Sequence, residues 1–201
     1  MNCGHWPNDE QRRKIPATRI ELPTRFQQAL FNKQIVPGTI FMRLAVVSDT
    51  HAHFENTMAA VRMLSSLNVD VVIHCGDIGS AEIVPMFKSW PTHFVFGNVD
   101  HDEALLRKVI EQEGQTCHGR FGQLELAHKK IAFLHSDDAL LFRQTIHDGE
   151  FDLVCYGHTH LAKQETVGRT LVLNPGALYR AKPHTFALVD LPSLEVTSIS
   201  I

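Results

Sequence analysis

Residues 43–51 read RLAVVSDTH and residues 70–77 read DVVIHCGD. Each is an apolar run of strand length that breaks into a turn-forming segment carrying an aspartate. The same order returns in THFVFGN (92–98), KIAFLHS (130–136) and DLVCYGHTH (152–160). Apolar runs without polar alternation suit strands buried on both faces, which requires layers packed above and below the sheet. Helical stretches separate the first three runs. Phe54, Met58, Val61, Leu64 and Leu67 recur at three- and four-residue spacing and predict an amphipathic helix with one core-facing stripe. A shorter helix is predicted over 81–89, ended by Pro91, and Leu105, Leu106, Val109 and Ile110 mark the next, with Asp102 and Glu103 at its positive N-terminal end. This β-α-β-α-β-α order predicts an α/β domain.

The second half is richer in strands, predicted over 122–127, 130–135, 152–156, 170–174, 185–191 and 195–201, with one helix over 139–146. The change from crossovers to consecutive strands predicts two packed sheets with helices covering the outside. With 44% hydrophobic and 20% charged residues, the 201-residue chain excludes collagen-like, coiled-coil and wholly disordered readings. A net charge of −3 gives no global basic field, so nucleic acid is not indicated as a partner. No stretch reaches the roughly 18 apolar residues of a membrane span, and residues 1–14 contain no apolar segment of the secretory kind. Cys3, Cys75, Cys117 and Cys155 form no metal-knuckle spacing, and Cys75 and Cys155 close apolar runs as small hydrophobes do. A reducing, cytoplasmic location is expected.

The charge changes sign near Met42: residues 1–41 hold six basic and three acidic side chains, the rest 13 and 19. Residues 1–41 therefore read as an N-terminal extension, with Pro23 opening a short helix over 23–31 that sets Phe26 and Leu30 on one face. Residues 42–201 read as the folded domain. The extension could serve in homo-oligomerisation.

Polar residues cluster just past the strand ends, where open α/β sheets bind ligands. Asp49 and His51 follow the first strand, Asp77 the second, Asn98 and Asp100 the third, His135 a later one, and His158 and His160 another. Any one of them alone is an ordinary turn residue or helix cap. Asp-x-His and His-x-His, however, put two ligand groups on one side of an extended segment, because strand side chains repeat with period two. A mixed carboxylate and imidazole set suits manganese, zinc, iron, nickel or cobalt better than calcium or magnesium. His53, His74 and His101 are near-site candidates. His5, His93, His118, His128, His147 and His184 lack such context and read as surface or structural.

In this order and spacing, DTH (49–51), GD (76–77), GN (97–98), His135 and GHTH (157–160) resemble the calcineurin-like metallophosphoesterase superfamily. NPGAL (174–178) is similar to the compact branch of YfcE-type phosphodiesterases, whose fold a retromer subunit shares. The resemblance covers about residues 42–201. It implies a four-layer α/β/β/α sandwich of two mixed β-sheets, and two divalent ions, manganese foremost. One ion would be held by Asp49, His51, Asp77 and His160, the other by Asp77, Asn98, His135 and His158, with Asp77 between them. It further implies hydrolysis of a small phosphodiester by a hydroxide bridging the two metals, with Asn98 also touching substrate.

The chain departs from the superfamily where many members carry a histidine that protonates the leaving group: position 99 is valine. Asp100 or His101 is then the substitute acid, and without one the reaction is slow or favours good leaving groups. Ser136 stands where the branch usually has glycine. Two other readings follow from the same family: a protein-binding scaffold like the retromer subunit, and a phosphomonoesterase, the latter weakened by Val99.

Overall fold

The structure is a computed structural model and describes residues 41–201. The helix expected over 23–31 lies outside the described residues. Elements are numbered from the first described one. Strand β1 (Met42–Val47) leads to helix α1 (Phe54–Leu64), β2 (Val71–His74), a 3₁₀ helix (Ala81–Phe87), β3 (Thr92–Phe94) and α2 (Glu103–Gln112). Then come β4 (Thr116–Cys117), β5 (Phe121–Leu126), β6 (Lys129–Leu134), α3 (Ala139–His147), β7 (Leu153–Tyr156), β8 (Lys163–Val167), β9 (Thr170–Asn174), β10 (Thr185–Leu191) and β11 (Glu195–Ser200).

Two mixed sheets result, ordered β11-β10-β1-β2-β3-β4 and β5-β6-β7-β9-β8. The run β1 to β4 is parallel, with β10 antiparallel to β1. In the second sheet β6, β7 and β9 are parallel, flanked by antiparallel β5 and β8. Strand periodicity explains the layers. Leu44, Val46, Leu153 and Cys155 point into the seam between the sheets, where they meet Ile73, Phe133 and Val189. Their neighbours Ala45, Val47 and Val72 face outward under α1, the 3₁₀ helix and α2, and Val154 and Tyr156 face outward under α3. The fold is the α/β/β/α sandwich.

Three sequence expectations are corrected. The α1 stripe is rotated: Phe54 and Met58 are 44% and 40% exposed, and the buried positions are Thr57, Ala60 and Leu64. The face turned to the sheet carries small Thr57 and Ala60, which suit a close approach of helix to sheet. The helix over 81–89 is a 3₁₀ helix containing Pro85, whose missing N–H weakens an α-helical ladder. Two strands went unread: β4 has two residues, and the polar edge strand β8 pairs with β9 through a turn at Gly168. KQETV (163–167) carries little apolar signal, because an edge strand exposed to water needs little.

His93 and His118 are structural and lie against Phe133, with His93 Nδ1 and His118 Nε2 3.0 Å apart. Burial pushes His93 down to about 3, helped by the charge of His118, and burial pushes His118 down to about 4. Unfolded histidine titrates near 6.5, so below that pH the unfolded chain binds protons that the folded chain refuses. The stability both rings allow above pH 6.5 is therefore lost as pH falls toward 4 and then 3, each with a slope of at most about 1.4 kcal/mol per pH unit. Denaturant midpoints measured from pH 7 to pH 4 should fall, and a His93→Leu/His118→Leu double variant should show a shallower fall. An unchanged slope in that variant would refute the assignment.

Candidate metal centre

The carboxyl ends of β1, β2 and β3 in one sheet and of β6 and β7 in the other meet at one edge of the sandwich. There the loop after β1 runs alongside the loop after β2: Asp49 N–H donates to the Gly76 carbonyl at 3.1 Å, His51 N–H to that of Asp77 at 2.9 Å, and Ala52 N–H to that of Ile78 at 2.9 Å. These backbones are left-handed at residues other than glycine. Asp49 (φ 55), His51 (φ 45), Asp77 (φ 55), His158 (φ 72) and His160 (φ 59) all have positive φ, as does Ser136 (φ 77). Such conformations cost of order 1 kcal/mol or more each and concentrate where side chains must be aimed for function. Ser136 thus holds a left-handed turn of the kind glycine adopts without steric cost.

Each aspartate is held by one oxygen and offers the other. Asp49 Oδ2 accepts from His158 N–H at 3.1 Å, and Asp77 Oδ1 accepts from Val99 N–H at 3.0 Å. Asp49 Oδ1 then lies 3.2 Å from His160 Nε2 and 3.8 Å from His51 Nε2. Asp77 Oδ2 lies 3.2 Å from His135 Nε2 and 3.4 Å from His51 Nε2. Close backbone approach makes this possible: a Cβ on Gly97 would strike the Asp77 carboxylate, and one on Gly157 would strike Ser48 and Asp49.

Backbone carbonyls set the histidine tautomers. A carbonyl can only accept, so His135 Nδ1 donates to Cys75 O at 2.9 Å and His160 Nδ1 donates to Arg180 O at 3.4 Å. Both rings then turn Nε2 toward the aspartates, the arrangement found around ligating histidines. Burial pushes His135 down, but the hydrogen bond and charge of Asp77, the charge of Asp49 and the Cys75 carbonyl together raise its pKa. Burial likewise pushes Asp77 up, yet the His135 hydrogen bond and charge, the Val99 N–H and the His51 charge hold it below its usual value. The field of this pocket favours positive charge.

Asp49 Oδ1 supplies the test of fit. It is fully buried and lacks a hydrogen-bond partner among the described residues, an expensive state for a carboxylate oxygen unless a cation completes it. Two ligand groups converge on it, Asp49 with His51 and His160, and Asp49 with Asp77 and His135. The donor set therefore fits divalent ions. Asp49 belongs to both groups, whereas the resemblance gives the shared place to Asp77.

The remaining expected residues are distributed as follows. Asn98 is exposed and its Oδ1 lies 3.2 Å from His135 Nε2. The exposed His158 ring packs edge-on against that of His135 at 5.1 Å, outside the two converging groups. His74 is buried and bonds Thr50 Oγ1 at 3.1 Å, tying β2 to the Asp49 loop. His53 caps α1, its Nδ1 accepting from Asn56 N–H at 3.3 Å. His101 is exposed and has no contact with the cluster among the described residues. Asp100 is 2% exposed, and its carboxylate accepts from Gly79 N–H and Gly97 N–H at 2.8 Å and from Ile78 N–H at 3.2 Å. Tyr179 was not singled out from the sequence, yet its ring stacks on His53 at 4.9 Å and lies 5.8 Å from His51. Its only signal was its place directly after NPGAL.

Residues 42–193 match the family model for the calcineurin-like phosphoesterase superfamily domain. The chain is 30% identical over 163 residues to a phosphodiesterase of Methanocaldococcus jannaschii, covering 79% of this chain and 98% of that protein. It is similar to the solved structure of an archaeal phosphodiesterase with a TM-score of 0.75 and 28% identity, over 80% of this chain and 100% of that one. The Vacuolar Protein Sorting 29 structure from Cryptosporidium parvum is similar in fold, with a TM-score of 0.57 and 18% identity over 80% of this chain and 97% of that one.

Proposed function

The chain belongs to the calcineurin-like phosphoesterase superfamily, and from that premise we propose that it hydrolyses phosphodiesters at a pair of divalent transition-metal ions, manganese foremost. The observation that carries the proposal is the buried Asp49 Oδ1, which accepts no hydrogen bond among the described residues and faces three histidines. In this reading Asp49, His51, Asp77 and His160 hold one ion, and Asp77, Asn98, His135 and His158 the other. Bound ions of this kind supply a polarised phosphoryl group and an acidified water as nucleophile.

The chain's own residues supply position. Val99 N–H and His158 N–H fix the aspartates, and the carbonyls of Cys75 and Arg180 fix the imidazoles. Asn98, exposed beside His135, is placed to hydrogen-bond a phosphoryl oxygen. Residue 99 gives the departing alcohol no proton, which forgoes about 10² to 10⁴ in rate on poor leaving groups. Asp100 does not fill that role: its oxygens are occupied by three backbone amides and are shut from solvent, so we assign it to positioning. His101 has the exposure that proton donation requires.

A pure scaffold gains little from keeping all seven ligand positions, which favours the catalytic reading. Buried, free Cys75 and Cys155 support a reducing, cytoplasmic setting, and no helix among the described residues is long and apolar enough to cross a membrane. Self-association through residues 1–41 belongs to the same proposal, supported by their opposite charge to the domain. Purified chain with manganese should hydrolyse bis(p-nitrophenyl) phosphate faster than p-nitrophenyl phosphate and lose both activities to a chelator. No diester hydrolysis with manganese, zinc, iron, nickel or cobalt would overturn the proposal.

A further inference from the structure

The segment after NPGAL is pinned to the rim of the cluster. Leu178 N–H donates to the Ser48 carbonyl at 3.2 Å, and the Leu178 carbonyl accepts from Asn56 Nδ2 at 2.7 Å. Tyr179 is thereby held over His53 and beside His51. Arg180 comes next. Its backbone is left-handed (φ 51), its carbonyl receives the Nδ1–H of His160, and its guanidinium lies 5.2 Å from the centroid of the Tyr179 ring. Arg43, Arg120 and Arg169 each pair with a carboxylate, and Arg62, Arg107 and Arg143, which do not among the described residues, lie on α1, α2 and α3, away from the strand-end loops. Arg180 is exposed and has no carboxylate within ion-pair distance among the described residues. An unneutralised guanidinium stacked on an aromatic ring keeps its N–H edge free and loses little freedom on taking up a planar or tetrahedral anion.

We propose that Arg180 is a specificity-determining residue that binds a second phosphate of the substrate, one not undergoing hydrolysis. The proposal rests on the phosphodiesterase reading. The scissile group belongs at the aspartates and histidines, and the contacts linking the guanidinium to that cluster run through Tyr179 rather than directly. An anion bound by Arg180 is therefore a different group on the same molecule. Arginine suits it because the guanidinium fork matches phosphate bidentately, whereas lysine offers a point charge.

Two substrates with the same scissile bond test it: the p-nitrophenyl ester of thymidine 5′-phosphate, with and without a 3′-phosphate. With manganese, the full chain should prefer the 3′-phosphorylated ester about ten-fold in kcat/KM, the size of one charge-assisted hydrogen bond. Arg180→Gln should bring the preference close to one, and Arg180→Lys should keep part of it. Calorimetric titration supplies a readout without turnover: Arg180→Gln should weaken adenosine 3′,5′-bisphosphate more than adenosine 5′-phosphate. A wild-type chain without preference, a preference surviving Arg180→Gln, or equal weakening of both ligands overturns the proposal. Arg180-dependent bisphosphate binding without hydrolysis of either ester would sustain the anion site and refute the phosphodiesterase reading. Hydrolysis of both esters without Arg180 dependence would refute the anion site alone.

Discussion

Asp77→Ala should lose about 10³-fold or more of its phosphodiesterase activity at saturating manganese, together with bound metal. Removing a single preorganised charge-stabilising group at a catalytic centre commonly costs 10²- to 10³-fold, and Asp77 does more than one thing. Its Oδ2 faces both His51 and His135, and its Oδ1 holds the Val99 N–H that anchors the loop carrying Asn98. Alanine removes the charge that faces both His51 and His135 and frees that loop. Asp77→Asn is the informative partner, because its amide oxygen can still accept from Val99 N–H while the negative charge is gone. A large loss in both variants places the effect in the charge. Loss in the alanine variant alone places it in the anchoring of the loop. Full activity in Asp77→Ala, measured on bis(p-nitrophenyl) phosphate with metal content determined in parallel, would end the metal-centre reading.

Asp100→Ala should destabilise the fold by about 3–5 kcal/mol, since it leaves the buried Ile78 and Gly97 N–H groups and the part-buried Gly79 N–H without their acceptor. Burial raises the Asp100 pKa, against the pull of the Gly79, Gly97 and Ile78 amides and with help from the Asp77 charge. A raised carboxyl pKa is also what a general acid needs, so kinetics must separate the roles. Asp100→Asn decides between them. A positioning residue, tying the Asp77 loop to the Asn98 loop, predicts comparable rate losses on p-nitrophenyl and alkyl esters and weaker metal affinity. A general acid predicts that p-nitrophenyl esters, whose leaving group needs no proton, are spared while alkyl esters suffer. Chemical denaturation checks the stability term independently.

Much of this site was legible in the chain because ligand groups follow apolar strands. The run RLAVVS reads as a buried strand, and a parallel strand delivers whatever follows it to the carboxyl edge of its sheet. Asp49, His51, Asp77 and His135 could be listed on that basis. The role of Asp100 could not. A carboxylate that takes amides from residues 78, 79 and 97 reads in sequence like one that donates a proton, and those amide contacts become visible only in the fold. The α1 stripe failed for a related reason. Helical periodicity marks an apolar face, but packing against the rest of the fold decides which residues are covered: Thr57, Ala60 and Leu64 are buried, whereas Phe54 and Met58 stay exposed.

The sequence by itself determined the α/β class, the order of strands and crossovers, and the residue types gathered at the strand ends, because these follow from short-range periodicity and composition. Only the tertiary structure decided which oxygen of each aspartate is anchored and which is offered, which imidazole nitrogen faces the cluster, and which arginine stands unneutralised beside it. Those are properties of loops from two different sheets meeting at one edge. They depend on contacts between residues a hundred positions apart, such as His158 N–H with Asp49 Oδ2, and no local pattern in the chain encodes them.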